Sequence, residues 1–343
     1  MKSANNISVT LAYNLNHYKK GSSDNDDDLY HVVVQKGNVG SRYVYALQLL
    51  HKGHNIYVFR GDRQSNVSFD KNNPVLRLIG QETIDKKEVK YTAGGHTQTW
   101  EYANQSGDWF VGTKPNEDGW DKQIARVHIP ITSKMYNNTD LPRLSYLNRA
   151  GYQQGINYAG SNMERVEAAV TPDYEYFMIA SVDTSGTGYF SLYYLSDINT
   201  ALNNVGTSDV NIQNITCQKA FKIPDFQSEV GSIQGYDVSN KGKYIYVSSQ
   251  YSPEKSARNH DNSRKIVKIP WGETNSSNWE KVDLTNNGIF DESDYKTEFE
   301  GIQLVKDNDL YLTVAYHDPD NNEETDLTVM NRIYRITWDS NLV

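Results

Sequence analysis

The sequence predicts an all-β fold, a five-bladed β-propeller of antiparallel meanders, and three observations predict it. First, an aromatic or apolar strand centred on Tyr45, Val111, Ile179, Val247 and Val314 recurs at intervals of 66, 68, 68 and 67 residues. Each centre is followed by a small residue: Ala46, Gly112, Ala180, Ser248 and Ala315. Second, every copy reads as several strands joined by tight turns, a unit that cannot bury both faces alone and must stack on its neighbours. Third, helical periodicity is scarce while tyrosine is abundant, at 25 residues. A long period made of strands, with apolar runs such as 177–180 for coverage on both sides, closes into a radial array.

Each element follows from local pattern. The inner strand carries a β-branched residue and then an amide or carboxylate: Val34 and Gln35, Thr97 and Gln98, Val166 and Glu167, Ile233 and Gln234, Ile302 and Gln303. Polar turns at 37–41, 104–108, 171–175, 239–243 and 306–309 hold the Gly, Asn, Asp or Pro that hairpins need. A third, alternating strand follows the anchor at 55–60, 123–129, 189–195, 265–271 and 331–338. An outer strand is expected at 75–78, 141–147, 218–223 and 279–284. This places the blades at about 31–80, 94–151, 163–223, 231–285 and 298–338 of a single propeller domain spanning 1–343. The fifth copy has no room for an outer strand. The alternating segment 7–14 is therefore expected to pair beside 331–338 and close the ring without an unpaired edge, the plainer alternative being a simple edge strand. One short helix is expected at 196–206, capped by Ser196 or Asp197 and stopped by Gly206.

Bulk properties narrow the function. A net charge of -9 lacks the clustered Lys and Arg that phosphate neutralisation requires, so no nucleic-acid partner is expected. Mean hydropathy of -0.71 suits a soluble chain, and no stretch approaches the roughly twenty apolar residues of a membrane helix. The single Cys217 cannot form an internal disulfide and reads as a small packing residue. Residues 1–6 carry no apolar segment of a secretory signal, so a secreted or cell-surface protein would use another export route or have lost a leader. A monomer is expected.

The templates for common chemistry are absent: no Gly-x-Ser-x-Gly elbow, phosphate loop, dinucleotide fingerprint, His-Glu-x-x-His or Cys-x-x-Cys. No cofactor is expected beyond a possible structural calcium ion. Asp318 and Asp320 open a loop with carboxylates at alternating positions, but it lacks the glycine and final glutamate of a calcium loop, and 24–28 is a plain acidic run. If the inner strands surround one axis, Gln35, Gln98, Glu167, Gln234 and Gln303 form a polar collar that either binds a ligand or satisfies backbone groups and water. A glycosidase needs two facing carboxylates about 5 to 10 Å apart, for which Glu167 with Glu300 or Asp237 are the candidates, although no spacing singles them out. Trp120, Tyr152 and Tyr158 lie near loops where flat rings can stack on sugars, or else pack between blades.

Several strings carry a resemblance. Gln35-Lys-Gly-Asn-Val-Gly-Ser-Arg-Tyr-Val-Tyr, Ala93-Gly-Gly-His-Thr-Gln-Thr-Trp-Glu, Pro142-Arg-Leu-Ser-Tyr-Leu-Asn-Arg-Ala-Gly, Ser232-Ile-Gln-Gly-Tyr-Asp and Leu312-Thr-Val-Ala-Tyr-His together resemble the helveticin J family, large heat-labile bacteriocins of lactobacilli. The resemblance runs from about residue 30 to residue 338, while the lead through 7–14 and the acidic 24–28 look longer than the family's start. It implies an antibacterial protein acting on related Gram-positive bacteria, with the target cell envelope, or a glycan of it, as partner. It supplies no catalytic residue. Three functions stay open: a bacteriocin that acts by binding, which is the preferred reading, a cell-wall glycan hydrolase, and a non-toxic surface lectin.

Overall fold

The computed structural model describes residues 1–16, 32–51, 53–251, 263–292, 295–318 and 327–342, so the acidic run 24–28 and Asp320 lie outside the described residues. Five antiparallel sheets form the blades of a propeller. Blade 1 holds Val34–Val39, Tyr43–Leu50, Asn55–Asp62 and Leu76–Leu78, from inner to outer strand. Blade 2 holds Trp100–Tyr102, Asp108–Pro115, Asp121–His128 and Arg143–Ser145. Blade 3 holds Met163–Val170, Tyr176–Asp183, Gly188–Tyr194 and Cys217–Ile223. Blade 4 holds Ile233–Val238, Tyr244–Ser249, Lys265–Pro270 and Glu280–Asp283. Blade 5 holds Lys296–Lys306, Asp309–Asp318 and Leu327–Asp339, and takes its fourth strand, Asn5–Asn16, from the start of the chain.

That last pairing is the closure expected from the alternation of 7–14, with Val9 opposite Ile336 and Leu11 opposite Tyr334. Each inner strand packs on the next, and that of blade 5 packs on that of blade 1. Three strands of two or three residues lie parallel outside the meanders: Lys2–Ser3 on blade 4, Asp209–Asn211 on blade 2 and Asn66–Ser68 on blade 5. They are too short to leave a period in the sequence.

The core lies between blades. Tyr45, Leu47 and Ile56 meet Trp100, Trp109 and Val111 across the first interface, and Phe110 and Ile124 meet Val166, Phe177 and Ile179 across the second. Fully burying each such side chain contributes about 1.5–3 kcal/mol. The helix Leu195–Asn204 covers the second interface with Leu195, Ile198 and Leu202. Its N-cap is Tyr194 rather than Ser196 or Asp197, because the third strand of blade 3 runs straight into it; Asp197 sits in the first turn, where it complements the helix dipole. At the axis the blades approach closely: a Cβ on Gly235 would lie 2.7 Å from the Gly301 Cα, so only glycine permits this contact.

Candidate functional site: a polar axis through the propeller

The inner strands of blades 1, 4 and 5 each carry a β-bulge, between Val34 and Lys36, Ile233 and Gly235, and Phe299 and Ile302. The residues passed over are Gln35, Gln234 and the pair Glu300 and Gly301. A bulge re-aims its extra side chain, here toward the axis. Gln98 is the hub of the resulting cluster. Its Nε2 lies 3.4 Å from Gln35 Oε1, 3.3 Å from Gln234 Oε1 and 3.3 Å from Glu300 Oε2, while its Oε1 accepts from Arg165 Nη2 at 2.8 Å. Gln234 also donates to Glu298 at 3.2 Å, and His317 Nε2 stands 3.3 Å from the other Glu298 oxygen.

Three members of the expected collar thus meet, and two do not take the expected place. Gln303 lies past the bulge, opposite Tyr311, and its amide clasps the backbone of Val39: the Val39 N–H donates to Oε1 at 2.6 Å and Nε2 donates to the Val39 carbonyl at 3.2 Å. Its position in the cluster belongs to Glu300. Glu167 turns into the interface between blades 2 and 3, where Oε2 accepts from Thr99 Oγ1 at 2.6 Å, Thr97 Oγ1 at 3.1 Å and the Gln98 N–H at 3.1 Å. Its Oε1 faces Arg165 at 3.4 Å.

Arg165 organises this end of the axis, and sequence reasoning passed over it. The guanidinium lies 4.1 Å above the Trp120 ring and donates to the Ile233 carbonyl at 3.1 Å. It lies two positions before Glu167 in one strand, so the two share a face; that alternation was the available signal. Trp120 packs against His96 with ring centroids 4.0 Å apart and planes tilted by 32°, and burial together with Arg165 pushes the imidazole pKa down to about 3. Tyr152 and Tyr158 lie in the connection into blade 3, 51 % and 36 % exposed and set edge to face at 6.3 Å. By strand direction they share with Trp120 the end where the inner strands begin.

Deeper along the axis sit three buried charged side chains. Lys36 Nζ donates to Glu101 Oε1 at 2.7 Å and to the Ile302 carbonyl at 2.5 Å. Asp237 accepts from the backbone N–H of Val238 at 2.7 Å and of Leu304 at 2.5 Å. Burial pushes both carboxyls up, Asp237 to about 8 with the nearby Glu101 charge as second cause. Burial opposes the charge on Lys36, but Glu101 and Asp237 outweigh it and raise its pKa. Burial and Glu298 likewise raise Glu300 well above the ordinary range.

The pH dependence of stability follows. A carboxyl whose folded pKa exceeds its unfolded value binds more protons when folded, so stability falls as pH rises between the two. Asp237 should therefore make the protein lose stability from about pH 4 to about pH 8. Urea unfolding across this range should show a steeper decline in wild type than in Asp237→Asn; equal slopes would refute the assignment.

Among the described residues no cluster of His, Cys, Asp and Glu could hold a metal ion, and Asp318 ends the second strand of blade 5. Cys217 is buried in the second interface, and burial pushes its thiol pKa up. No described helix is long and apolar enough to cross a membrane.

Residues 3–339 match the family model described as bacteriocin helveticin-J. The chain belongs to the helveticin J family. A relative, bacteriocin helveticin-J of Lactobacillus helveticus, is 42 % identical over 338 residues, covering 91 % of this chain and 94 % of the relative. Among solved structures, the chain is similar to the catalytic domain of Coprinopsis cinerea GH62 α-L-arabinofuranosidase, at TM-score 0.47 and 11 % identity over 98 % of each chain. It is also similar to a thermostable family-43 glycoside hydrolase, at TM-score 0.46 and 9 % identity, covering 91 % of this chain and 94 % of that one. Likenesses at this level carry nothing about activity. The strings by which the chain resembles the helveticin J family pass through Gln35, Gln98, Gln234 and His317, so those segments build the axial cluster.

Proposed function

We propose that this protein is a bacteriocin-like antibacterial agent that acts on related Gram-positive bacteria and works by recognising a ligand of their envelope, a glycan above all, through one propeller face. It acts outside the producing cell. Membership of the helveticin J family supports the antibacterial part.

One observation favours binding over hydrolysis: the carboxylates that a hydrolase would need are already engaged. Both Glu167 oxygens face donors that join blades 2 and 3, Glu300 is 1 % exposed against Gln98, and Asp237 is held by two backbone N–H groups. A glycosidase requires one carboxylate open to the sugar or to water and a second acid facing it. Exposed Tyr152 and Tyr158 instead offer flat surfaces for sugar stacking, whereas the Trp120 ring is already covered by Arg165 and His96.

The test is to incubate purified protein with sensitive cells and with isolated walls, scoring viability and soluble reducing sugar separately. Viability should fall without sugar release. Sugar released by wild type and not by Glu167→Gln would establish a hydrolase instead, and wall binding without loss of viability would establish a non-toxic lectin.

A further inference from the structure

On the opposite face, where the inner strands turn back into the second strands, a cavity of about 630 Å³ opens on the axis. Every blade contributes to its lining: Asn38 and Tyr45 from blade 1, Tyr102 and Trp109 from blade 2, Tyr174 from the first turn of blade 3, Asp237 from blade 4 and Gln303 from blade 5. The volume falls in the range of small-molecule sites.

Its surfaces are chemically distinct. The floor is polar: Glu101 and Asp237 reach it, 5 % and 2 % exposed, with the Lys36 charge beside them. Asn38, 5 % exposed, adds an amide. The wall is aromatic, with Tyr102 and Tyr174 edge to face at 5.7 Å and Trp109 against Tyr45 at 4.5 Å. The rim is cationic. The Arg42 guanidinium is held 5.0 Å over the Tyr43 ring, and Arg63 is fixed by Tyr13 Oη at 2.7 Å and the Gly40 carbonyl at 3.2 Å. Among the described residues the only carboxyls in the lining are the two buried ones on the floor, so a ligand anion would meet guanidinium groups first.

Flat rings accept a sugar face, a buried amide and carboxyl read hydroxyls, and fixed guanidinium groups recognise carboxylate or phosphate. We infer that this cavity binds an acidic saccharide unit, its ring against Tyr102 and Tyr174 and its anionic group at Arg42 and Arg63. The inference deepens the proposed function by naming a ligand class and a face, and rests on that reading only for where such a sugar would be met.

The experiment is calorimetric titration of the full-length protein with N-acetylmuramic acid, glucose 1-phosphate, N-acetylglucosamine and inorganic phosphate. At least one acidic sugar should bind saturably and about tenfold more tightly than N-acetylglucosamine or phosphate, and the better of the two identifies carboxylate or phosphate as the anion. Arg42→Gln and Tyr174→Ala, both at exposed positions, should each weaken that binding about tenfold with the melting temperature preserved. Absence of saturation by either acidic sugar at about 10 mM, equal binding of N-acetylglucosamine, equal binding of phosphate, or insensitivity to both variants would overturn the inference. Killing is scored separately: a wild type that binds the sugar but kills nothing defeats the antibacterial reading alone, and one that kills without binding it defeats the cavity alone.

Discussion

Lys36→Ala is expected to cost about 3–5 kcal/mol of unfolding free energy, a loss set by the burial of its charge partners. Lys36 is 1 % exposed, and its ammonium is the cation beside Glu101 and Asp237, which are themselves buried. Removing one partner of a buried pair leaves an uncompensated charge, which is far costlier than the net worth of the pair. Glu101 would respond by taking up a proton, while Asp237, with its pKa at about 8, already holds one at neutral pH. Replacing both partners with apolar residues of similar volume, as in Lys36→Met with Glu101→Leu, should recover most of the loss. Urea denaturation of the three proteins decides the matter: a loss below about 1 kcal/mol for Lys36→Ala would mean that this cation does not hold the axis together.

Deleting residues 1–16 should be more damaging still, and in a different way. The deletion removes the fourth strand of blade 5, including Tyr13 and Leu15, which are 8 % and 3 % exposed. It also leaves Leu327–Asp339 as an open edge. Each lost buried side chain removes about 1.5–3 kcal/mol, and an unpaired edge of that length is a template for aggregation. The shortened chain should elute as aggregate or melt without a cooperative transition. A soluble product whose melting temperature lies within about 5 °C of the full chain would show that the seam is dispensable.

The fold was legible because its signals are local and repeated. A strand with a small residue after its centre, met five times, needs only counting, and the alternation of 7–14 is long enough to demand a partner. The site was less legible for identifiable reasons. A bulge adds one residue without changing the composition of a strand, so the pattern of a β-branched residue followed by an amide, which found Gln35 and Gln234 on the axis, pointed to Gln303 in place of Glu300. Arg165 was hidden by the habit of reading one residue per strand, although its spacing from Glu167 put both on one face. The cavity on the far face draws Asn38, Tyr102, Tyr174, Asp237 and Gln303 from five separate repeats, and no spacing within one repeat announces such a gathering.

The seam in blade 5 also sets a schedule. Asn5–Asn16 is made before the strands of blades 1 to 4, while Leu327–Asp339, its partner in register, is made after them. While those four blades are made that strand has no mate, and the circle cannot be completed until Leu327–Asp339 has followed.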